Sequence, residues 1–287
     1  MFAIFNIIGK LNTMKNMRSV KEQSVDEKIM STLKNLDVSE RVLHGIKRLI
    51  TDEEIQATQE YANNVSIVRL GYNDHGPVHM RTVALNVIIM MGFLWKAGIK
   101  TSLESEGTGN AEDSLIGAVH AAMLHDLGMS IGRQDHELHS VYLALPILDR
   151  LLSQIYKDNP KKKVIVRSVA LEGISGHMGN RIIHSLEAGI VQVADGCDMT
   201  KGRARIPIAL NNTFKAGNIH KVSANSIEKV SLSMGSEKPI CIKVKMSGEV
   251  GLFQIEEVLM NKISVSPAKP YIELYAQVND EEPKKCL

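Results

Sequence analysis

The sequence is poor in cysteine, which argues against a disulfide-stabilised fold. Its 287 residues include three cysteines, Cys197, Cys241 and Cys286, and their spacing matches neither disulfide pairs nor a zinc motif. Disulfides persist in oxidising compartments, whereas intracellular thiols stay reduced. The cysteine content therefore predicts a reducing, cytoplasmic location.

The sequence also lacks an apolar run long enough to cross a membrane. The first apolar segment covers residues 2–8, well short of the roughly 20 residues that a spanning helix needs. No basic stretch precedes this segment and no small-residue cleavage site follows it, so it does not have the form of a signal peptide. The longest later run, "VALNVIIMMGFLW" at 83–95, has the length of a core helix. We therefore predict no membrane partner, and we interpret residues 1–25 as a poorly ordered leader.

No charge of one sign dominates the chain. The 34 Lys and Arg residues nearly balance the 32 Asp and Glu residues, which leaves a net charge of +2. Hydrophobic residues make up 44% and charged residues 23%, as in a globular protein with a full core. A near-neutral chain argues against a nucleic-acid partner, because such proteins bind phosphate with a basic surface.

Helical patterns follow one another along most of the chain, and we predict a helical domain over 26–222. Asp52 precedes a helical pattern and is a suitable N-cap for a helix over 53–65. Pro77 suits the first turn of a helix that runs to about Lys96, because its missing N–H costs nothing there.

The periodicity changes near the C-terminus. "PICIKVKMS" at 239–247 and "YIELYAQV" at 271–278 alternate apolar and polar residues, as half-buried strands do. Between them, "GLFQIEEVLMNKI" places Leu252, Ile255, Leu259 and Ile263 on one helical face. We predict a small β-β-α-β domain over 223–287, whose strand edges could pair with a second copy of the chain and form a homo-oligomer.

Histidines and aspartates recur where predicted helices begin, break or end. His79 lies just inside the helix that starts at Pro77, and "MLHDLG" at 123–128 ends an apolar helix with His125 and Asp126. Gly128 would close that helix as a left-handed C-terminal glycine. An aspartate such as Asp195, late in the apolar segment "AGIVQVAD", needs a partner when buried. Imidazole and carboxylate together suit divalent ions such as Zn, Mn or Fe.

The order of these residues resembles the HD superfamily of metal-dependent phosphohydrolases. "HMRTV" after Pro77 resembles the first helix signature, "MLHDLG" the motif that names the family, and "VQVADGCDM" its closing segment. The resemblance covers about residues 70–205. It implies a mainly α protein, an HD-type helical bundle, which the small α+β domain then follows.

The resemblance also implies a ligand set and a reaction. Asp126 would bridge two metal ions, His79, His125 and Asp195 would hold one of them, and His139 and His177 would hold the other. His75, His120 and His136 are expected to be non-ligands, although His136 could substitute for His139, since both lie in "DHELH". One or two ions of Mn, Fe, Mg, Co, Ni or Zn would activate water for attack on a small phosphorylated substrate.

The substrate is left open by the sequence. "HELHSVYLA" and "GISGHMGN" are similar to segments of bacterial dinucleoside-tetraphosphate hydrolases. The chain lacks the "GYP" triplet of cyclic-di-GMP phosphodiesterases and the "ED" pair of guanosine-tetraphosphate hydrolases. These absences argue against both of those substrates and favour another nucleotide or small phosphoester.

Basic residues after Asp195 are candidates for contacts to the substrate phosphate. The segment 199–221 is basic and has no acid, and Lys201, Arg203 and Arg205 follow directly on the predicted ligand. A solvated basic loop is the alternative. Arg81 and Arg133 are weaker candidates, and Asp198 could orient a ligand or a base.

Two other function classes remain open on the same residues. Some HD proteins bind two irons and oxidise small molecules, and iron content with oxygen consumption would identify that chemistry. The chain could also be a regulatory or binding module that retains a metal site while its C-terminal domain binds a ligand or drives dimerisation.

Overall fold

The computed structural model describes residues 18–200 and 219–287. Helices make up most of the first part, and a four-stranded sheet lies in the second. The helices of the first part are α1 (Val20–Asn35), α2 (Glu40–Ile50), α3 (Glu53–Asn64), α4 (Pro77–Lys96), α5 (Ser102–Ser105), α6 (Ala111–Leu124), α7 (His136–Ile155), α8 (Pro160–Gly176) and α9 (Leu186–Gly196). A π-helical turn, Val65–Arg69, extends α3. The mainly α architecture is therefore confirmed.

Helix α1 begins before the predicted domain boundary. It starts at Val20, and the Ser19 side chain accepts a hydrogen bond from the backbone N–H of Glu22, as an N-cap does. Part of the predicted leader, residues 20–25, is therefore helical, and residues 1–17 lie outside the described residues.

Two predicted helix starts are confirmed. The Asp52 side chain accepts from the backbone N–H of Ile55 at 3.2 Å, at the start of α3, and Pro77 is the first residue of α4. By length and composition α4 could span a membrane, but 61% of its most apolar window is buried inside the protein. A core helix passes the same test, and α4 packs against α6 and α9 as a core helix does.

Helices α6 and α9 form the centre of the bundle. Every residue of α9 is buried, and so is every residue of α6 from Asp113 to Leu124. Helices that are apolar on all sides need cover on all sides, and α4 and α8 both pack against this pair. Asp195 lies near the end of α9, and His125 follows α6, so two predicted ligands lie at the ends of buried helices.

The second described part starts with α10 (Ile219–Ser226) and contains a mixed sheet. Its strands, β1 (Ile227–Met234), β2 (Ile240–Met246), β3 (Ile272–Val278) and the short β4 (Lys284–Lys285), lie side by side in that order. Strand β1 pairs antiparallel with β2, and β2 pairs parallel with β3, with Ile242 opposite Leu274. The predicted strand–strand–helix–strand order is observed.

A helical crossover joins β2 to β3, as a parallel pair requires. It consists of α11 (Leu252–Gln254), a π-helical turn (Ile255–Met260) and α12 (Asn261–Val265). The crossover packs on α9 so closely that a Cβ at Gly196 would lie 3.1 Å from Leu259 Cδ1. The Ser266 hydroxyl donates to the Gly189 carbonyl at 3.1 Å. The C-terminal part therefore contacts the helix that carries Asp195.

Arg81 is a structural residue, and its predicted contact with substrate phosphate is wrong. Its side chain is 1% exposed. It donates to the side chains of Asp26, Gln56 and Gln59 and to the carbonyls of Ile50 and Pro77, at 2.8–3.2 Å. One guanidinium thus joins α1, α2, α3 and α4.

We expect Arg81→Met to lower the free energy of unfolding by about 3–5 kcal/mol. The substitution removes one of the two arginine partners of the half-buried Asp26 carboxylate, which keeps Arg18, and leaves several buried acceptors without their donor. Breaking a buried ion pair costs about that much. Urea unfolding followed by circular dichroism measures the change, with the exposed Arg150→Met as the matched control. A loss below about 1 kcal/mol would contradict the role assigned to Arg81.

Candidate metal centre

The four histidines that meet at the centre of the bundle are each oriented by a hydrogen bond at Nδ1. His125, His136 and His177 contact the carbonyls three residues earlier, those of Ala122, Arg133 and Ile174, at 2.7–3.0 Å. His79 Nδ1 lies 2.6 Å from Asp198 Oδ2. A ring nitrogen that donates to a fixed oxygen leaves the Nε2 lone pair available as a ligand. Asp198 thus orients His79, in the role suggested for it.

Asp126 lies among the four histidines and presents one oxygen to each pair of them. Its Oδ2 lies 3.4 Å from Nε2 of both His79 and His125. Its Oδ1 lies 3.2 Å from His136 Nε2 and 3.5 Å from His177 Nε2. The carboxylate is 2% exposed. Such an arrangement would let Asp126 bridge two ions, each with two imidazoles of its own.

Asp195 adds a second carboxylate on the side of His79 and His125. Its Oδ1 lies 3.2 Å from His79 Nε2 and 3.7 Å from His125 Nε2. Its Oδ2 forms an ion pair with Lys262, which comes from the crossover between β2 and β3. The helical bundle and the C-terminal part therefore meet at this carboxylate.

The donor atoms fit a divalent metal ion. They form three overlapping groups whose ligand atoms lie within 4.8 Å of one another: His79, His125 and Asp126; His125, His177 and Asp195; and Asp126, His136 and His177. Metal–ligand bonds of about 2.1 Å place neighbouring ligand atoms roughly 3.0–3.5 Å apart, close to the separations given above. Imidazole nitrogens and carboxylate oxygens suit Zn, Mn, Fe and similar ions, so these buried groups could hold metal.

His136, and not His139, belongs to this cluster. His139 is in none of the three groups of the described residues, and its Nδ1 is buried with no hydrogen-bond partner among them. His136 is the first residue of α7 and contacts both Asp126 and His177. The prediction that His139 and His177 together hold the second ion is therefore corrected: His136 takes the place of His139.

Gly128 brings the start of α7 into the cluster. A Cβ at this position would lie 2.0 Å from the His136 carbonyl oxygen, and the Gly128 N–H donates to the Ser140 hydroxyl at 2.8 Å. The residue lies in a 3-10 turn (Leu127–Ser130), and it does not have the positive φ that we predicted for a left-handed helix end. Glycine is needed here for close approach to α7, which carries His136.

The carboxylates hold a positive charge at His125. Burial opposes that charge, but Asp126 and Asp195 outweigh burial and raise the pKa of His125 to about 9. At His177 burial prevails and lowers the pKa to about 4. Burial would also raise the pKa of Asp126, but the positive charge of His125 holds it well below its usual value. At neutral pH the cluster therefore carries ionised carboxylates and a protonated His125.

We expect metal binding to displace this proton and to depend on pH. A metal ligand must be neutral imidazole, so affinity should rise about tenfold per pH unit as the pH approaches the His125 pKa of about 9. Titration calorimetry of metal-stripped protein with Mn²⁺ at pH 7, in buffers of different ionisation enthalpy, should show about one proton released per protein as the His125 side fills. A pH-independent affinity with no proton release would contradict this protonation state.

A cavity of about 590 Å³ opens over the cluster. Asp126, His177 and Asp195 line its inner end, and Asn261 and Lys262 line it from the C-terminal side. Arg133 also lines the cavity, with its NH1 3.4 Å from His136 Nε2. The predicted phosphate contacts Lys201, Arg203 and Arg205 lie outside the described residues.

The sequence pattern did not identify Lys262 as a site residue. It is 8% exposed and lies three residues after Leu259, on the apolar face of the crossover. A lysine on an apolar helical face needs a buried partner, and this is the feature of the sequence that could have indicated Lys262. The pattern could not name the partner, because Asp195 is 67 residues away.

Comparison with known proteins finds a relative of nearly the full length. The chain is 44% identical over 244 residues to the uncharacterized protein MJ1020 of Methanocaldococcus jannaschii, and the alignment covers 83% of this chain and 92% of the relative. No family model and no solved structure matches the chain. The name of this relative gives no activity, so the function of the chain is inferred from its site.

Proposed function

We propose that this chain, which belongs to the same protein family as the Methanocaldococcus jannaschii protein, is a metal-dependent phosphohydrolase of the HD type that cleaves a nucleotide or another small phosphoester. One observation carries the proposal: Asp126 divides its two oxygens between two pairs of oriented, buried histidines. The order of His79, His125–Asp126 and Asp195 along the chain, which resembles the HD superfamily, supports it.

Six residues would hold the metal. His79, His125 and Asp195 would bind at one side of Asp126, and His136 and His177 at the other. Divalent ions held there would supply Lewis-acid activation of water and would neutralise charge on the substrate phosphate. Asp198 keeps the His79 ring in the ligating tautomer.

Residues of the cavity wall would bind and orient the substrate. Arg133 can offer paired N–H donors to phosphate oxygens. We retain Lys201, Arg203 and Arg205 as proposed phosphate contacts from the segment that follows α9. The walls also offer the amide side chains of Asn73, Asn180, Gln254 and Asn261, which could contact the rest of the substrate.

Phosphate release from a panel of nucleotides and phosphoesters tests this function. Metal-stripped protein would be assayed alone and with added Mn, Mg, Fe, Co, Ni or Zn, with Asp126→Ala as the control. We expect release that needs both a divalent ion and Asp126. Absence of release with every metal and substrate, combined with bound iron and oxygen consumption, would replace the proposal by the di-iron oxidation chemistry.

A further inference from the structure

We propose that Lys262 binds the phosphate of the substrate, so that the substrate site is built from the helical bundle and the C-terminal part together. The inference rests on the proposed function, because it assigns a role within the same cavity. Lys262 belongs to α12, in the crossover between β2 and β3, well outside the region of the chain that supplies the histidines. Its position, packing and chemistry each support the assignment.

The Lys262 ammonium lies where the cavity meets the cluster. Lys262 lines the cavity, and its Nζ is paired with Asp195 Oδ2. The other oxygen of that carboxylate lies 3.2 Å from His79 Nε2. One carboxylate thus separates the lysine from the histidine ligands, so an anion bound at the inner end of the cavity would lie within reach of Nζ.

The Lys262 side chain is held in place by two segments that carry predicted ligands. A Cβ at Gly196, directly after Asp195, would lie 3.3 Å from Lys262 Cδ. A Cβ at Gly179, two residues after His177, would lie 3.7 Å from Lys262 Cγ, and Gly179 has a φ of +81° that favours glycine. The methylene chain therefore packs close to the backbone at both glycines, which restricts the position of the ammonium group.

The ammonium has donors left for a ligand. A lysine has three N–H donors, and within the described part of the chain its hydrogen bond goes to Asp195 alone. The Lys262 side chain retains 10% exposure, although the residue as a whole is buried. Two donors can therefore face a phosphate oxygen while the third stays on Asp195.

Interface stability alone gives little reason for a lysine at this position. A buried ion pair is often no more stabilising than a well-packed apolar pair of the same volume, and the neighbouring Leu259 and Ile263 are apolar. An anion bound beside it would explain the lysine, because compact ammonium groups are common phosphate ligands. The ion pair with Asp195 then positions the lysine beside the bound anion.

Binding of inorganic phosphate to the full-length, Mn²⁺-loaded protein tests the role separately from hydrolysis. We expect Lys262→Met to weaken phosphate binding about ten- to a hundredfold, since a hydrogen bond to a charged group contributes about that factor, and Lys262→Arg to restore most of the affinity. Metal content, measured by mass spectrometry, should match the wild type. Lys269→Met, at an exposed lysine in the same part of the chain, is the matched control and should bind phosphate normally.

Lys262→Gln is the second variant, for use if the methionine variant does not fold. It keeps an N–H donor for Asp195 but removes the charge, and we expect the same loss of phosphate affinity. Wild-type phosphate affinity in a folded, metal-loaded neutral variant would overturn the proposal. Loss of metal from both neutral variants would also overturn it, because Lys262 would then act in assembling the metal centre.

Failure of the inference can be told from failure of the proposed function. If hydrolysis depends on metal but the Lys262 variants bind phosphate as tightly as the wild type, only the role assigned to Lys262 is wrong. If no phosphoester is hydrolysed but the Lys262 variants still lose phosphate affinity, the hydrolase proposal is wrong. The cavity is then an anion-binding site next to the metal.

Discussion

Asp126→Ala is expected to abolish metal binding and phosphate release together while the helical fold remains. The substitution removes the carboxylate that faces all four histidines, so both halves of the cluster lose a ligand. Loss of a group that merely orients a ligand costs about 10- to 100-fold in metal affinity, and loss of a shared ligand should cost more. Metal content and phosphate release, measured on the same preparation, check the prediction.

A matched control separates this effect from a general loss of charge. Asp149 pairs with Arg167 on the protein surface, and its side chain is 39% exposed, so Asp149→Ala should leave both measurements unchanged. Circular dichroism should give the same helix content for all three proteins. An Asp126→Ala protein that bound metal and released phosphate at the wild-type rate would show that the centre is misassigned.

His136→Ala and His139→Ala should have opposite outcomes, although the two residues lie one helical turn apart. His136 Nε2 lies 3.2 Å from Asp126 Oδ1 and also 3.2 Å from His177 Nε2. Its removal leaves His177 and one carboxylate oxygen on that side, too few ligands for a tight site. We expect His136→Ala to lose one metal equivalent and at least a hundredfold in rate, and His139→Ala to keep the full metal content.

The two variants control for each other, because each removes one imidazole from the same helix. Inductively coupled plasma mass spectrometry counts the metal, and a phosphate release assay gives the rate. If His139→Ala lost metal and His136→Ala kept it, the second side of the centre would have to be rebuilt around His139.

The sequence could predict the ligands that end helices, but not which histidine of "DHELH" turns inward. His125 and Asp126 follow an apolar helix, and that helix can only be central, so their burial follows from the pattern. His136 and His139 are three residues apart and share a helical face. Their difference depends on the start of α7, where Asp135 adopts a φ of +51° and Gly128 admits the His136 backbone. Neither the backbone angle of Asp135 nor the close approach at Gly128 can be predicted from helical periodicity.

The role of the C-terminal part was also beyond sequence reasoning. Alternation predicted the strands β2 and β3, and the apolar stripe predicted the crossover helix, in both cases from local spacing. The π-helical turn Ile255–Met260 departs from the period of 3.6 residues just before Lys262. The contact of Lys262 with Asp195 depends on packing between α9 and the crossover, which only the folded chain defines.

Anomalous diffraction from crystals of Mn²⁺-loaded protein would show where in the bundle the metal binds. We expect anomalous density on both sides of the Asp126 carboxylate, one peak within bonding distance of His79, His125 and Asp195 and one within bonding distance of His136 and His177. Asp126→Ala crystals should lose both peaks. Density at other residues, or none at the cluster in protein that carries manganese in solution, would contradict a metal centre at Asp126.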